Sequence, residues 1–264
     1  MKLSSEILGI GQPFIILHGL YGSGENWLSH GKELANRFEV HLIDQRNHGN
    51  SPRADEHNYT AMEVDLLEYM DLHQIDRAII MGHSMGGKTA MFFALAHPER
   101  VSALLVVDMS PQGYDSFSDA KTLYHKDIFE GLRAIPVHSI KSRTEAEDIL
   151  KPYVPQERVR KFLLKNLQRR QNDKSFYWKL NLEGLYASLD NILEGIDPEM
   201  VRPLTAFPVL FIKGGDSDYI NDDSMPIIRA IFPYADVVTI ENAGHWLHAE
   251  KPEEFLATVN NFLD

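Results

Sequence analysis

Short apolar runs alternate with helix-period segments over the first 108 residues. Phe14-Ile15-Ile16-Leu17, Val40-His41-Leu42-Ile43, Ala78-Ile79-Ile80-Met81 and Leu104-Leu105-Val106-Val107 are the runs. Near-continuous apolar character over so few residues marks strands covered on both faces, since a half-exposed strand alternates instead. Three helix-compatible segments separate them: residues 24–37, a stretch in which Met62, Leu66, Leu67 and Met70 share one face, and residues 85–97, stopped by Pro98. Thr60 is the expected N-cap of the second, with Glu63 completing a capping box. Strand–helix–strand repetition predicts an α/β fold, a mostly parallel sheet with helices on both faces.

The pattern changes after residue 111. From 112 to 203 the chain reads as helical segments with no convincing strand, carrying the aromatics Phe162, Phe176, Tyr177, Trp178 and Tyr186. Strands return with Val209-Leu210-Phe211-Ile212 and Val237-Val238-Thr239-Ile240. A last helix follows, with Pro252 in its first turn, Glu253 and Glu254 near the positive end of its dipole, and Phe255, Val259, Phe262 and Leu263 on its buried face. The expected organisation is one core, 1–111 and 204–264, interrupted by a helical cap (lid) insertion, 112–203. Leaving from the carboxyl ends of the strands, the insertion would cover a site there. Its aromatics either line a pocket or pack a small core of their own.

Composition narrows the function classes. A net charge of −12 removes the basic footprint of a nucleic-acid binder. Zero cysteines exclude disulfides and thiolate catalysis. The first six residues contain no apolar run of signal-peptide length, and no stretch approaches a membrane span, so the cytoplasm is the expected compartment. Oligomeric state is not readable from the chain.

Gly82-His83-Ser84-Met85-Gly86 fits G-x-S-x-G directly after a predicted strand and before a predicted helix. Such a turn lifts a serine hydroxyl clear of the backbone, and the positions two residues to either side must be small to avoid collision. Ser84 is therefore the expected nucleophile. An earlier turn, His18-Gly19-Leu20-Tyr21-Gly22, also follows a strand and can aim backbone N–H groups at a developing oxyanion. The Leu20 and Met85 N–H groups are the expected pair, with Tyr21 as the fallback for Leu20. His18 is read as a structural anchor.

Position selects the base from among the twelve histidines. In this order of parts the base comes last, which points to His245 in Gly244-His245-Trp246. His248 is the nearest competitor. The His245/His248 pair lacks further ligands at metal-site spacing, so no metal is expected. Tyr21 and Trp246 are candidate substrate contacts. The acid that orients the base has two possible sources. Asp108 closes the Leu104–Val107 run, where an unpartnered carboxylate would be costly; Asp216 and Asp218 flank Ser217 after Val209–Ile212. Asp108 is favoured, and Asp218 or Asp216 stays open as the alternative.

Taken with Asp44-Gln45-Arg46-Asn47-His48-Gly49-Asn50-Ser51-Pro52, the elbow through Lys88, and Gly244 through Pro252, the chain resembles the α/β-hydrolase superfamily and, within it, the YbfF-type bacterial esterases. The resemblance covers roughly 1–111 and 204–264. It implies hydrolysis of carboxylic esters and acyl thioesters, acyl-CoA included, with no cofactor. It also implies an acid at Asp108 and a serine, Ser217, in the more usual acid slot. Asp44 and Arg46 are expected to hold their loop by hydrogen bonds without touching substrate. The expected partner is a small-molecule acyl ester or thioester. Perhydrolase, C–C hydrolase or lipase chemistry on the same fold is the alternative, and a non-catalytic small-molecule receptor a more distant one.

Overall fold

The computed structural model describes residues 1–114 and 119–264; the part of the expected insertion at 115–118 lies outside the described residues. The first part of the chain forms strands β1 (Ser4–Leu8), β2 (Gln12–Leu17), β3 (Phe38–Asp44), β4 (Ala78–His83) and β5 (Val101–Val107). Helices α1 (Leu28–Leu34), α2 (Tyr59–Leu72) and α3 (Met85–Ala96) alternate with them. The segment after β5 holds α4 (Ala120–Ala134), α5 (Arg143–Leu150), α6 (Glu157–Leu163), a hairpin of β6 (Leu167–Arg169) and β7 (Phe176–Trp178), α7 (Leu182–Ala187) and α8 (Leu189–Leu193). The chain then returns through β8 (Val209–Gly214), α9 (Ser224–Ile231), β9 (Asp236–Ile240), α10 (Leu247–Glu250) and α11 (Pro252–Leu263).

Seven strands make one sheet in the order β1-β3-β2-β4-β5-β8-β9. All neighbours are parallel except β1, which runs antiparallel along β3. Alternate side chains of a strand point to opposite faces, so an all-apolar run needs a core on each. Phe14 and Ile16 of β2 lie in one buried cluster with Trp27 and Leu247, while Ile15 and Leu17 lie in another with Leu66 and Phe93. In β5, Leu105 and Val107 join the first cluster, and Leu104 and Val106 the second. A third cluster is built by the segment between β5 and β8 and reaches Leu20, Tyr21 and Met85 at the strand ends.

Four local expectations are corrected. The segment 112–203 does contain strands: β6 and β7 pair Leu167 with Trp178 through Arg169 with Phe176. The N-cap of α2 is Asn58, whose side chain accepts from the Ala61 N–H at 2.7 Å, and Thr60 lies inside the helix. Glu63 turns away from the cap and contacts His97 Nε2 at 2.5 Å. The segment 24–37 splits into a 3-10 turn, Gly24–Trp27, and the short helix α1. The final helix starts at Pro252 as expected, and Phe255 and Val259 form its fully buried face, with Phe262 and Leu263 only partly covered.

Candidate active site

A parallel sheet gathers the loops that follow its strands at one end. Here β2 leads into His18–Gly22, β4 into Ser84, β5 into Asp108, β8 into Ser217, and β9 into His245. Residues more than 200 positions apart are thereby brought to one rim by topology alone.

Ser84 sits at φ 53°, ψ −122°, a conformation that L-residues rarely adopt and that costs on the order of 1–3 kcal/mol. The turn is held by the Ser84 N–H, which donates to the Val107 carbonyl at 3.1 Å, and by the Ser84 carbonyl, which accepts from Lys88 at 3.1 Å. Both flanking glycines are required by space. A Cβ at Gly82 would stand 2.1 Å from the Gly86 carbonyl oxygen, and one at Gly86 would stand 2.3 Å from that of Leu17. The N–H groups of Leu20 and Met85 are paired with no backbone carbonyl among the described residues. Leu20 borders the same cavity as Ser84 and His245, and Met85 opens α3.

His245 Nδ1 meets Asp108 Oδ2 at 2.7 Å. The Ser217 hydroxyl donates to that same oxygen, and the Gly214 N–H donates to Oδ1 at 3.0 Å. Asp108 has no solvent exposure and, at φ 47°, is itself in the left-handed region, held by its N–H donating to Ile212 at 2.8 Å. Burial alone pushes its carboxyl pKa up. Hydrogen bonds and charge from His245, with Ser217 and Gly214, outweigh this and hold it below the usual carboxylate range. Asp216 and Asp218 are exposed and make no contact with His245; Asp218 reaches Lys121 at 3.5 Å instead. His248 is buried and stacks on Trp27, ring centroids 4.2 Å apart, with no hydrogen bond to Asp108.

The surrounding loops explain the polar residues of the Asp44–Pro52 run. Asp44 accepts from the Gly24 and Asn50 N–H groups, each at 2.8 Å. Arg46 donates to Asp65 at 2.6 Å and to the Glu56 and Ala61 carbonyls. His18 uses Nδ1 toward the Gly19 carbonyl and accepts at Nε2 from the Gln45 N–H, tying the early glycine turn to the loop after β3. Burial lowers its pKa to about 4, so it stays neutral.

Spacing alone does not reveal several neighbours. Tyr219 stacks on His245 with centroids 3.9 Å apart and planes at 20°. His83, inside the elbow motif, donates from Nε2 to the His245 carbonyl at 2.8 Å. His125, from α4, lies 3.2 Å from the Tyr21 hydroxyl. Tyr21 and Trp246, the candidate substrate contacts, both border the cavity that contains Ser84 and His245. Of the aromatics after residue 111, Phe162 borders that cavity and touches Trp246 at 5.9 Å between centroids. Phe176, Trp178 and Tyr186 pack into the third cluster. No helix among the described residues is long and apolar enough to cross a membrane.

Comparison with known proteins agrees with this architecture. A family model described as the alpha/beta hydrolase fold matches residues 12–134. The chain is 38% identical to the sn-1-specific diacylglycerol lipase ABHD11 of Danio rerio, over 97% of this chain and 79% of the relative. It is 33% identical to Esterase YbfF of Escherichia coli, over 96% of this chain and 93% of the relative. A solved marine microorganism esterase superposes with a TM-score of 0.94 at 44% identity, covering 99% of both chains. The chain belongs to the α/β-hydrolase family, among its YbfF-type esterases, and is a carboxylesterase-type serine hydrolase.

Proposed function

We propose that the chain hydrolyses carboxylic esters, and acyl thioesters including acyl-CoA, through an acyl-enzyme on Ser84. The observation that carries this is the His245–Asp108 contact at 2.7 Å, with His245 and the strained Ser84 bordering one cavity. His245 Nε2 takes the Ser84 proton as Oγ bonds to the acyl carbon. The carbonyl π pair moves onto oxygen, where the Leu20 and Met85 N–H groups stabilise it, each contributing roughly 10²–10³ in rate. Collapse of this intermediate breaks the bond to the leaving group, and His245 returns its proton there. Water repeats the sequence to release the acid. Asp108 holds the ring tautomer that keeps Nε2 free and stabilises the imidazolium. The segment 112–203 acts as a cap over the strand ends, and Tyr21 and Trp246 contact substrate.

The names of two relatives, an esterase and a diacylglycerol lipase, support ester cleavage as the reaction class. A fluorophosphonate probe and Ser84→Ala test the assignment together. Ser84 is expected to be the labelled residue by peptide mass spectrometry, and the variant is expected to lose on the order of 10⁶ in kcat. A folded Ser84→Ala protein with near-normal esterase activity rules the assignment out.

A further inference from the structure

The peptide unit that carries the Leu20 N–H is aimed from its other end. A trans peptide is planar, and its C=O and N–H point in opposite directions. Whatever holds the Gly19 carbonyl therefore sets the direction of the Leu20 N–H. Two donors hold it, the Gly22 N–H at 2.9 Å and His18 Nδ1 at 2.8 Å. The Gly22 N–H belongs in turn to the peptide between Tyr21 and Gly22. The carbonyl of that peptide accepts from Asn166 Nδ2 at 2.7 Å, a bond that spans 145 positions of the chain.

Asn166 is built for that bond. It is buried, and it closes the 3-10 turn Leu164–Asn166 just before β6. Its own carbonyl accepts from the Lys179 N–H at 2.9 Å, which fixes its main chain. Its Nδ2 also donates to the Leu163 carbonyl at 3.2 Å. Both partners of that atom are carbonyls, so the atom facing them has to be the amide nitrogen.

The turn needs holding. Gly19 and Gly22 close it, and Tyr21, third of its four residues, stands at φ 64°. That position suits glycine, and a tyrosine stays there only where its surroundings insist. Phe129 meets the Tyr21 ring edge-on with centroids 5.2 Å apart, and His125 Nδ1 lies 3.2 Å from the Tyr21 hydroxyl. Like Asn166, both come from the segment between β5 and β8.

We propose that Asn166 is a positioning residue for the oxyanion and acts through two peptide units. Asn166 Nδ2 donates to the Tyr21 carbonyl, the Gly22 N–H to the Gly19 carbonyl, and the Leu20 N–H to the substrate oxygen. The peptide dipoles line up head to tail, so each bond strengthens the next. This deepens the hydrolase proposal and rests on it. The N–H of Tyr21 lies outside the series, which favours Leu20 as the donor. Without Asn166 the Tyr21–Gly22 peptide can turn and the Gly22 N–H leaves Gly19. His18 still holds the Gly19 carbonyl, so the loss is partial.

Asn166→Ala and Asn166→Asp, made in the full chain, test it. Aspartate keeps the shape, but its carboxylate has no proton to give a carbonyl. Each variant is expected to lose about ten- to thirtyfold in kcat on a p-nitrophenyl ester, with KM within about threefold. Affinity for a trifluoromethyl ketone, whose adduct with Ser84 carries the oxyanion, is expected to fall by a similar factor. The pKa of the base read from the pH profile of kcat/KM is expected to stay in place, because Asn166 bonds to neither His245 nor Asp108. Either variant, folded and within about twofold of the parent in kcat, overturns the proposal. A rate loss that comes with a shifted base pKa overturns it too. Should neither variant fold, ¹⁵N-labelled unaltered protein answers instead. Binding of the ketone is expected to move the Asn166 side-chain and Gly22 N–H signals downfield, and unmoved signals overturn the proposal. An unaltered protein with neither turnover nor fluorophosphonate labelling of Ser84 overturns the hydrolase reading as well, whereas an active parent with equally active variants overturns the role of Asn166 alone.

Discussion

Ser217 and His245 converge on a single oxygen of Asp108, the hydroxyl donating to it and the ring nitrogen meeting it at 2.7 Å. One carboxylate oxygen therefore serves two partners, while the other is held by the Gly214 N–H. Ser217→Ala leaves the imidazole contact in place but removes one donor from a buried charge. Its kcat is expected to fall about three- to tenfold. Asp108→Asn is expected to cost about 10³–10⁴ in kcat, because an amide favours the wrong imidazole tautomer. Asp218→Asn, on the exposed alternative, is expected to stay within about twofold. Steady-state kinetics on the three purified variants separates the two acids; a larger loss for Asp218→Asn than for Asp108→Asn reverses the assignment.

His83 holds the main chain of the proposed base through the His245 carbonyl. It is buried, its pKa is pushed down to about 3 by burial, and it must donate from Nε2 to reach the His245 carbonyl. His83→Phe leaves that carbonyl without its donor, and kcat is expected to drop about tenfold with KM little changed. His83→Gln restores an N–H donor and is expected to recover part of the loss. A purely space-filling role would give Phe and Gln the reverse order.

The elbow's lack of space has a stability consequence. A methyl group at Gly86 would stand 2.3 Å from the Leu17 carbonyl oxygen, which belongs to the neighbouring strand and has no rotamer to change. Gly86→Ala is expected to destabilise the fold by about 3 kcal/mol or more, read as a lowered midpoint in urea with an unchanged slope. A variant as stable as the parent would mean that α3 and β2 lie further apart than described.

Acid weakens the fold through its buried imidazoles. Burial lowers the pKa of His18 to about 4, and of His48, His57 and His83 to about 3. An exposed imidazole in the unfolded chain titrates near 6.5. Between these values the unfolded chain binds more protons, so stability is fully present above about pH 6.5 and is lost as pH falls toward the folded values. Urea midpoints measured from pH 7.5 to 4.5 are expected to decline steadily below about pH 6.5. A midpoint that rises on acidification contradicts the neutral, buried state of these rings.

The sheet and its elbow are legible in the chain because each rests on a short, local rule. Four apolar residues in a row require cover on both faces, and Ser84 between two spaced glycines requires a tight turn. What escapes such rules depends on contacts made at a distance or on energies too small to leave a pattern. The β6–β7 hairpin has only three residues per strand, too few for a period to declare itself. Asn58 and Thr60 both suit a cap; the side chain of Asn58 takes the Ala61 N–H, while Glu63 pairs instead with His97, 34 residues further on, a partner no local pattern announces. Strand β1, exposed along an edge and interrupted by Ser and Glu, is placed by pairing with β3. Tyr219 and His125 reach the site from β8's loop and α4 with no motif around them.

Strands β5 and β8 are hydrogen-bonded neighbours, although about a hundred residues of chain separate them. Everything between is hung from two adjacent threads of the same fabric. Such a segment can be lengthened, shortened or exchanged for another without re-routing a single strand, because its two ends are already side by side. Ser84, His245 and Asp108 lie outside it, whereas Phe162, Ile192 and Leu193, which border the cavities at Ser84, lie within it. A graft of residues 112–203 from a relative onto this sheet, with Asn166 kept, would thus be a transplant of preference without a transplant of chemistry.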